Sequence, residues 1–468
     1  MASRTGGNVR TAIKACAQRL SYREAKKEQQ EAIIKFVVEG QDVFVCLPTG
    51  FGKSMCFLCI PVLVDIITGK SSAWSVIVIV SPLVALMNDQ VTTLNKKGLN
   101  AVSIVADNTH HSGDDQSAVV RGDFQYIFTT PEILLCSKDW INVFQSPSFV
   151  ERLVGVIIDE AHCVKKWGSD FRKEYSKLGE LRGFFPPKVH IMALTATASA
   201  ASRKEIIKVL GMLKPHMIIR CPNKPNIKLV VEEMRDDGLD EVMKPLVEEL
   251  KRKRTDMDKT IIFCRSYKDC ASLYFYCKDE LKDSFTDPPG YPNVSKFRMV
   301  DMFSACNSSV IKNQIVASFS SPNSRLRIVI ATVAFGMGID CPNIRQVIHW
   351  SPPSDIEAYI QEIGRAGRDG KMAYATLLYS KKNISLPFMD SSMVVYCRNN
   401  NTCRRDLLFR DFDYTRDEDI TGCNCCDLCT MICLFSNTSA FLNSSKTEFK
   451  SRTDERDVCH PDSICMPV

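Results

Sequence analysis

The sequence predicts an α/β chain with two doubly wound parallel-sheet domains, a small helical subdomain after them, and a polar tail. Three observations predict it. Asp42 to Leu47 is an apolar run of strand length that stops at Thr49-Gly50-Phe51-Gly52, and from Lys53 onward the apolar residues fall at helical spacing. Strand-like runs then alternate with helical segments to about residue 215, and a second such series follows to about 385. Finally, Cys403, Cys423, Cys426 and Cys429 stand at spacings that bring thiolates onto one tetrahedral ion, which predicts a zinc-binding subdomain at 386–433. Free buried thiols, or a cluster in which Cys425 or Cys433 replaces one of the four, are the alternatives.

From the N-terminus, residues 1–21 carry Arg4, Arg10, Lys14 and Arg19, while Val9, Ile13, Cys16 and Leu20 share a helical face. The pattern predicts a lead-in helix packed on the first domain, with a mitochondrial presequence as the alternative. The first domain, 22–215, takes strands near 42–47, 76–80, 126–129, 154–158 and 190–194. A Pro/Asn-rich crossing at 216–234 leads to the second domain, 235–385, with strands near 260–264, 327–332, 346–350 and 374–380. Residues 434–468 are rich in Ser, Asn and Thr and read as a disordered tail.

The glycine turn between strand and helix is the context in which a phosphate-binding loop is credible. Thr49, Gly50 and Gly52 would let backbone N–H groups face an anion. Lys53 would reach the terminal phosphates and the Ser54 hydroxyl would ligate magnesium. Leu47 stands where the strict pattern has its first glycine, so a chance glycine turn is the rival. The run Val154 to Ile158 then delivers Asp159-Glu160-Ala161-His162 at a strand end. Ligands of open parallel sheets sit beyond those ends, so both motifs point to one crevice. Asp159 would hold magnesium and Glu160 would activate water; an acidic helix start is the bland reading. Far downstream, Arg365 and Arg368 are spaced to meet the same phosphates from the second domain. A site closed by two domains makes nucleotide hydrolysis a mechanical event.

Composition sets limits. The net charge of +6 permits a nucleic-acid partner without demanding one. Most of the 21 cysteines are scattered through apolar segments, as in a reduced compartment. The longest apolar helix candidate, 55–67, is interrupted by Pro61 and Asp65, so no membrane span is expected. Lys251-Arg-Lys-Arg254 fits either a nuclear signal or the solvated end of a helix carrying Leu246, Val247 and Leu250.

The order of Pro48 to Ser54, Ser81-Pro82-Leu83, Thr130-Pro131-Glu132, Asp159 to His162, Leu194 to Ala198 and Gln361 to Arg368 resembles superfamily 2 helicases. Two stretches narrow the resemblance to the RecQ-type DNA helicases: the aromatic-rich Cys163 to Tyr175, and Ala331 to Asp340 running on to Gly-Arg-Ala-Gly-Arg-Asp-Gly. It covers roughly residues 20–430. It implies two RecA-like domains, ATP and magnesium between them, and 3′ to 5′ movement on single-stranded or tailed duplex DNA in repair or recombination. A nuclear location is implied, with mitochondrial or cytoplasmic placement as alternatives.

By the same resemblance, Gln30 would read adenine, Asp340 would belong to the nucleotide site, and Cys403, Cys423, Cys426 and Cys429 would hold zinc. His162, with Trp167 and Phe171, would link strand binding to hydrolysis. Trp167 and Phe171 are also at helical spacing with Tyr175, the usual mark of a core. The interleaved Lys165, Lys166, Arg172 and Lys173 favour DNA stacking and phosphate contact for Trp167, Phe171 and Arg172.

Three departures qualify the expectation. The aromatic–arginine pair expected before Gln30 falls on Lys26 and Lys27. The DNA-contacting stretch of the second domain is replaced by Val300 to Ser309. The residues after Cys429 are too few and too polar for the winged-helix domain that relatives use at a duplex junction, which predicts weak unwinding. An RNA remodeller and a nucleotide-gated DNA clamp are the rivals from other classes.

Overall fold

Runs of buried residues fix the centres of two sheets. Val76 to Val80 is buried throughout, and so is Lys259 to Cys264. Such continuous burial is what a parallel sheet covered on both faces demands. The computed structural model describes residues 2–70, 73–105, 113–167, 173–235, 238–332, 341, 343–415 and 422–433.

The first sheet holds β1 (Val43–Cys46), β2 (Val76–Val80), β3 (Ala101–Ile104), β4 (Tyr126–Thr129), β5 (Leu153–Ile158), β6 (His190–Thr195) and β7 (His216–Ile219). Their order is β3-β4-β2-β5-β6-β1-β7 and every pairing is parallel. Alternate side chains feed two cores. Val43, Val45, Ile77 and Ile79 enter one, whereas Phe44, Val76, Val78 and Val80 enter the other. The helix Ala2–Arg19 belongs to the first of these: Val9, Ile13, Cys16 and Leu20 are buried in it.

The second sheet holds β8 (Ile227–Glu233), β9 (Lys259–Cys264), β10 (Val300–Phe303), β11 (Ile328–Thr332), β12 (Ile344–His349) and β13 (Ala373–Tyr379), in the order β10-β11-β9-β12-β13-β8. Its pairings are parallel too. The crossing expected over 216–234 narrows to 220–226, because β7 pairs with β1 in the first sheet and β8 with β13 in the second. Four strands escaped sequence reading: β3, β7 and β10, and β8, which falls within the expected crossing. All four lie at sheet edges, and β3, β7 and β10 have only four residues each, which leaves little apolar signal.

The third unit is helical, with Ser391–Arg398 and Arg404–Leu408, and its described core residues belong to the core of the second sheet. Tyr396, Leu408, Phe409, Phe412 and Leu428 share a cluster with Leu229, Val329 and Val347 of the second sheet. The basic run at 251–254 ends the helix Leu239–Lys253, whose Leu246, Val247 and Leu250 are buried. Among the described residues no helix is long and apolar enough to cross a membrane. The tail expected at 434–468 lies outside the described residues.

Candidate active site

β1 and β5 flank β6, so the segments leaving their carboxyl ends converge. After β1, Leu47 is fully buried and its N–H still donates to Thr195 O at 3.2 Å. The position where the strict loop pattern has glycine is thus a continuation of the strand, and the turn begins after it. Gly50 and Gly52 take φ of 82° and 86°, a region that side-chain-bearing residues avoid. Lys53 Nζ is near enough to Leu47 O, at 3.3 Å, to rest on it. The helix Met55–Leu58 follows Ser54 directly. Gln29, not Gln30, reaches the loop: its amide nitrogen donates to Gly52 O at 2.8 Å and Phe51 O at 3.1 Å, and its Oε1 accepts from Lys26 N. Gln30 instead donates to Ala25 O at 2.7 Å. Adjacent residues of one helix point about 100° apart, so a one-residue register difference decides which amide meets the loop.

Asp159 closes β5 and is buried; its carboxylate accepts the N–H of Glu160 at 2.9 Å. Glu160 takes the left-handed backbone, φ 48°, at a cost of about 1 kcal/mol for a non-glycine residue. Burial and the neighbouring Glu160 push the Asp159 carboxyl up to about 7. Burial acts upward on Glu160 as well, but His162, Lys53 and Arg365 prevail and hold it down, to about 2. Two adjoining carboxyls, Asp159 buried and Glu160 partly so, at odds over their charge, fit a divalent ion. His162 Nδ1 lies 3.3 Å from both Glu160 Oε2 and Thr195 Oγ1, and its Nε2 is 3.5 Å from Gln361 Nε2 of the second domain. Burial opposes its protonation, yet Cys163 and Glu160 raise it to about 10.

The second domain meets the loop through the segment after helix Ile356–Ile363. Thr49 Oγ1 donates to Gly364 O at 3.0 Å, a contact between residues 315 apart in sequence. A Cβ on Gly50 would lie 3.8 Å from Arg368 Cγ, so the Arg368 stem runs past the loop. Arg365 is buried; burial and Arg368 lower its pKa to about 10 against the opposing charges of Glu362 and Glu160. A Cβ on Gly364 would meet Thr49 Oγ1 at 2.6 Å and Ile360 O at 3.0 Å. Gly364→Ala is therefore expected to fold, bind nucleotide and lose up to roughly a hundredfold in turnover, the penalty of catalytic groups displaced by about 1 Å. Turnover equal to wild type in a steady-state ATPase assay would show that this contact is dispensable.

The residues brought together are therefore a phosphate loop, an acidic pair and two arginines, from two sheets. Residues 27–206 match the DEAD/DEAH box helicase family model and 241–370 the helicase conserved C-terminal domain. The chain is 30% identical to the ATP-dependent DNA helicase RecQ of Haemophilus influenzae over 90% of its own length and 63% of that protein. It is 31% identical to the ATP-dependent DNA helicase Q1 of Mus musculus, over 85% of its length and 58% of that protein. The chain belongs to the RecQ-type helicases of superfamily 2. It spans about three-fifths of the length of these two relatives. Its fold is also that of the DEAD-box helicase Mss116 bound to single-stranded RNA, with a TM-score of 0.63 at 19% identity over 87% of this chain and 78% of that one.

In this RecQ-type chain the thiol cluster differs from the expected set. Sγ atoms of Cys403, Cys425, Cys426 and Cys429 all lie within 4.8 Å of one another. Sulfurs around tetrahedral zinc stand about 3.8 Å apart, from Zn–S bonds of about 2.3 Å, and Cys403 and Cys425 are 3.6 Å apart. The four fit the ion. Of the expected set, Cys423 stands apart from this group: it is exposed, in the turn Gly422–Asn424, and Cys425 takes its place among the four. Spacing could not separate two cysteines that flank Asn424; the proximity of the Cys425 sulfur to the other three does.

Of the remaining expected residues, Trp167 ends the helix Cys163–Trp167, and its side chain lies outside the described residues, as do Phe171, Arg172 and Asp340. Tyr175 is fully buried in the first-domain core. Sequence reasoning missed Gln29, Gln361, Lys224 and Arg405. Arg405 is 1% exposed, and its guanidinium donates to Lys224 O at 3.0 Å and to Asn223 Oδ1, which ties the third unit to the crossing. Two adjacent arginines after a cysteine were the only signal for it.

Proposed function

We propose that the chain is an ATP-dependent DNA helicase or translocase that moves 3′ to 5′ on single-stranded DNA. The observation that carries this is the Gly364 carbonyl accepting from Thr49 Oγ1 at 3.0 Å, with Arg368 alongside Gly50. Arginines that complete a phosphate site only when two domains meet make hydrolysis report on domain closure. Lys53 binds the terminal phosphates, Glu160 orients and deprotonates the attacking water, and Arg365 with Arg368 stabilises the transferring phosphoryl group. His162 holds Glu160 beside Thr195 and Gln361, so the water-activating acid responds to where the second domain stands. Magnesium, on the Ser54 hydroxyl and Asp159, would neutralise phosphate charge. Zinc, on Cys403, Cys425, Cys426 and Cys429, would hold the helix Arg404–Leu408 in place.

DNA as the track is supported by the printed activities of the Haemophilus and mouse relatives and by cations interleaved with aromatics over 165–175. Trp167, Phe171 and Arg172 are the proposed contacts. A nuclear role in repair or recombination completes the reading, supported by the exposed Lys251 and Arg252. Trp167→Ala is expected to keep basal ATPase and lose its stimulation by single-stranded DNA, since a stacking platform goes and the phosphate site stays. Loss of the fold in this variant, read by circular dichroism, would make Trp167 a core residue instead.

Strand displacement on tailed duplexes of both polarities, with DNA and RNA tracks compared, tests the whole reading. Short 3′-tailed DNA duplexes should open and long blunt ones should not, because each base-pair step opposes with about 1.4 kcal/mol of stacking. Stimulation by RNA alone would assign a different track; DNA binding with no displacement would leave a nucleotide-gated clamp.

A further inference from the structure

We infer that Lys224, in the crossing between the two domains, is a fourth cation of the triphosphate site and the residue that ties domain closure to its occupancy. The inference rests on the reading of this cleft as the ATP site. Lys224 Nζ donates to Gly364 O at 2.5 Å and to Ala366 O at 3.3 Å, the two carbonyls that bracket Arg365. Gly364 O also accepts from Thr49 of the phosphate loop. One carbonyl therefore gathers the loop, the crossing and the arginine segment. Asn226, two residues on, donates to Gly367 O at 2.9 Å and Lys371 O at 2.7 Å, so the crossing grips the arginine segment along its length. Arg405 fixes the crossing from behind through Lys224 O.

An ammonium has three N–H donors, and the two carbonyls take two of them. Burial, then the charges of Arg368, Arg365 and Lys53, lower the Lys224 pKa to about 8. Lys53, Lys224, Arg365 and Arg368, with His162, converge where the opposing acids are Asp159, Glu160 and Glu362, a balance that a polyanion corrects. With phosphates bound, the ammonium is favoured again and its pKa rises. With the cleft empty, part of the population is neutral near pH 8. Lys224 is a positioning residue for Arg365 and also a contributor of charge.

The sign follows from linkage. The protonated form binds the polyanion better, so affinity holds below pH 8 and falls as pH rises past it, by about five- to tenfold from pH 7.5 to 9. The phosphates themselves, with a last ionisation near 6, are already fully charged in that window. Asp159, pushed up to about 7, and His162, raised to about 10, also face the cleft. Both remain in the variants, so the difference between wild type and variant isolates Lys224.

Binding of a non-hydrolysable ATP analogue with excess magnesium, followed by calorimetry from pH 7.5 to 9, is the test. Lys224→Met should weaken binding about ten- to hundredfold, as for loss of a hydrogen bond to a charged group, and should flatten the pH slope. Lys224→Arg should keep affinity within about threefold of wild type and flatten the slope as well, since guanidinium does not titrate there. In ATPase assays kcat should fall in the Met variant and recover in the Arg variant. A slope as steep as that of wild type in either variant, or wild-type binding and turnover in Lys224→Met, overturns the inference while the ATP site stands. If the Met variant does not fold, the Arg variant decides by its slope. Wild-type protein that binds no analogue overturns the ATP-site reading and this inference together.

Discussion

Arg368→Ala is expected to cut ATP turnover by about a thousandfold or more with little change in nucleotide affinity. The Arg368 stem runs past Gly50 of the phosphate loop although the residue belongs to the second domain. Its charge matters most when negative charge spreads over the transferring phosphoryl oxygens, so its removal acts on the transition state more than on the ground state. Lys53→Ala should behave differently and lose binding as well as hydrolysis, since its ammonium meets the phosphates in both states. Glu160→Gln should bind ATP and turn it over slowly, because an amide at that place cannot take the proton from water. Steady-state kinetics and analogue binding on the three variants separate these roles. Wild-type turnover in Arg368→Ala would remove the arginine from the mechanism.

Cys426→Ser should lose its metal and melt roughly 10 °C lower or more, because binding energy at a structural zinc is folding energy. Purified wild type should carry one zinc. Cys425→Ser should lose it too, whereas Cys423→Ser should retain it; the reverse pattern would restore Cys423 as the fourth ligand. The damage should extend to ATPase. Cys403 immediately precedes Arg404 and Arg405; Arg404 Nε donates to Asp427 Oδ1 at 2.6 Å, and Arg405 holds the carbonyl of Lys224 in the crossing. Release of the thiols frees that helix, then the crossing, then the segment carrying Arg365. Metal analysis showing no zinc in protein prepared without chelator would reject the assignment, and full ATPase in a metal-free variant would break the chain of contacts.

The central strands were legible because each is a run of mostly apolar residues bounded by polar residues or proline. Val76 to Val80 and Leu153 to Ile158 state their own burial, and parallel pairing with cover on both faces follows from that. Lys53, Ser54, Asp159 and Glu160 were legible for a related reason: the acids directly follow such a strand and Lys53 and Ser54 follow one across a short glycine turn, so the chain places them without help from distant residues. Edge strands β3, β7, β8 and β10 were not legible, since three are only four residues long and polar residues such as Ser103, His216, Lys228 and Asp301 interrupt their apolar runs.

What the sequence by itself determined is the local chemistry: a phosphate loop, an acidic pair, a pair of arginines and a cysteine-rich segment, with the α/β alternation that carries them. Tertiary structure decided which neighbour does the work. Gln29 meets the loop and Gln30 does not because a helix turns about 100° per residue. Cys425 stands with the other thiols and Cys423 does not because the fold turns the Cys425 side chain inward toward Cys403 and leaves Cys423 exposed. Lys224 and Arg405 matter because contacts across 140 and 181 residues bring them to Gly364 and to the crossing. Spacing along a chain fixes what can lie on one element; it carries no record of which elements meet, and those contacts are made only when the two sheets and the third unit pack together.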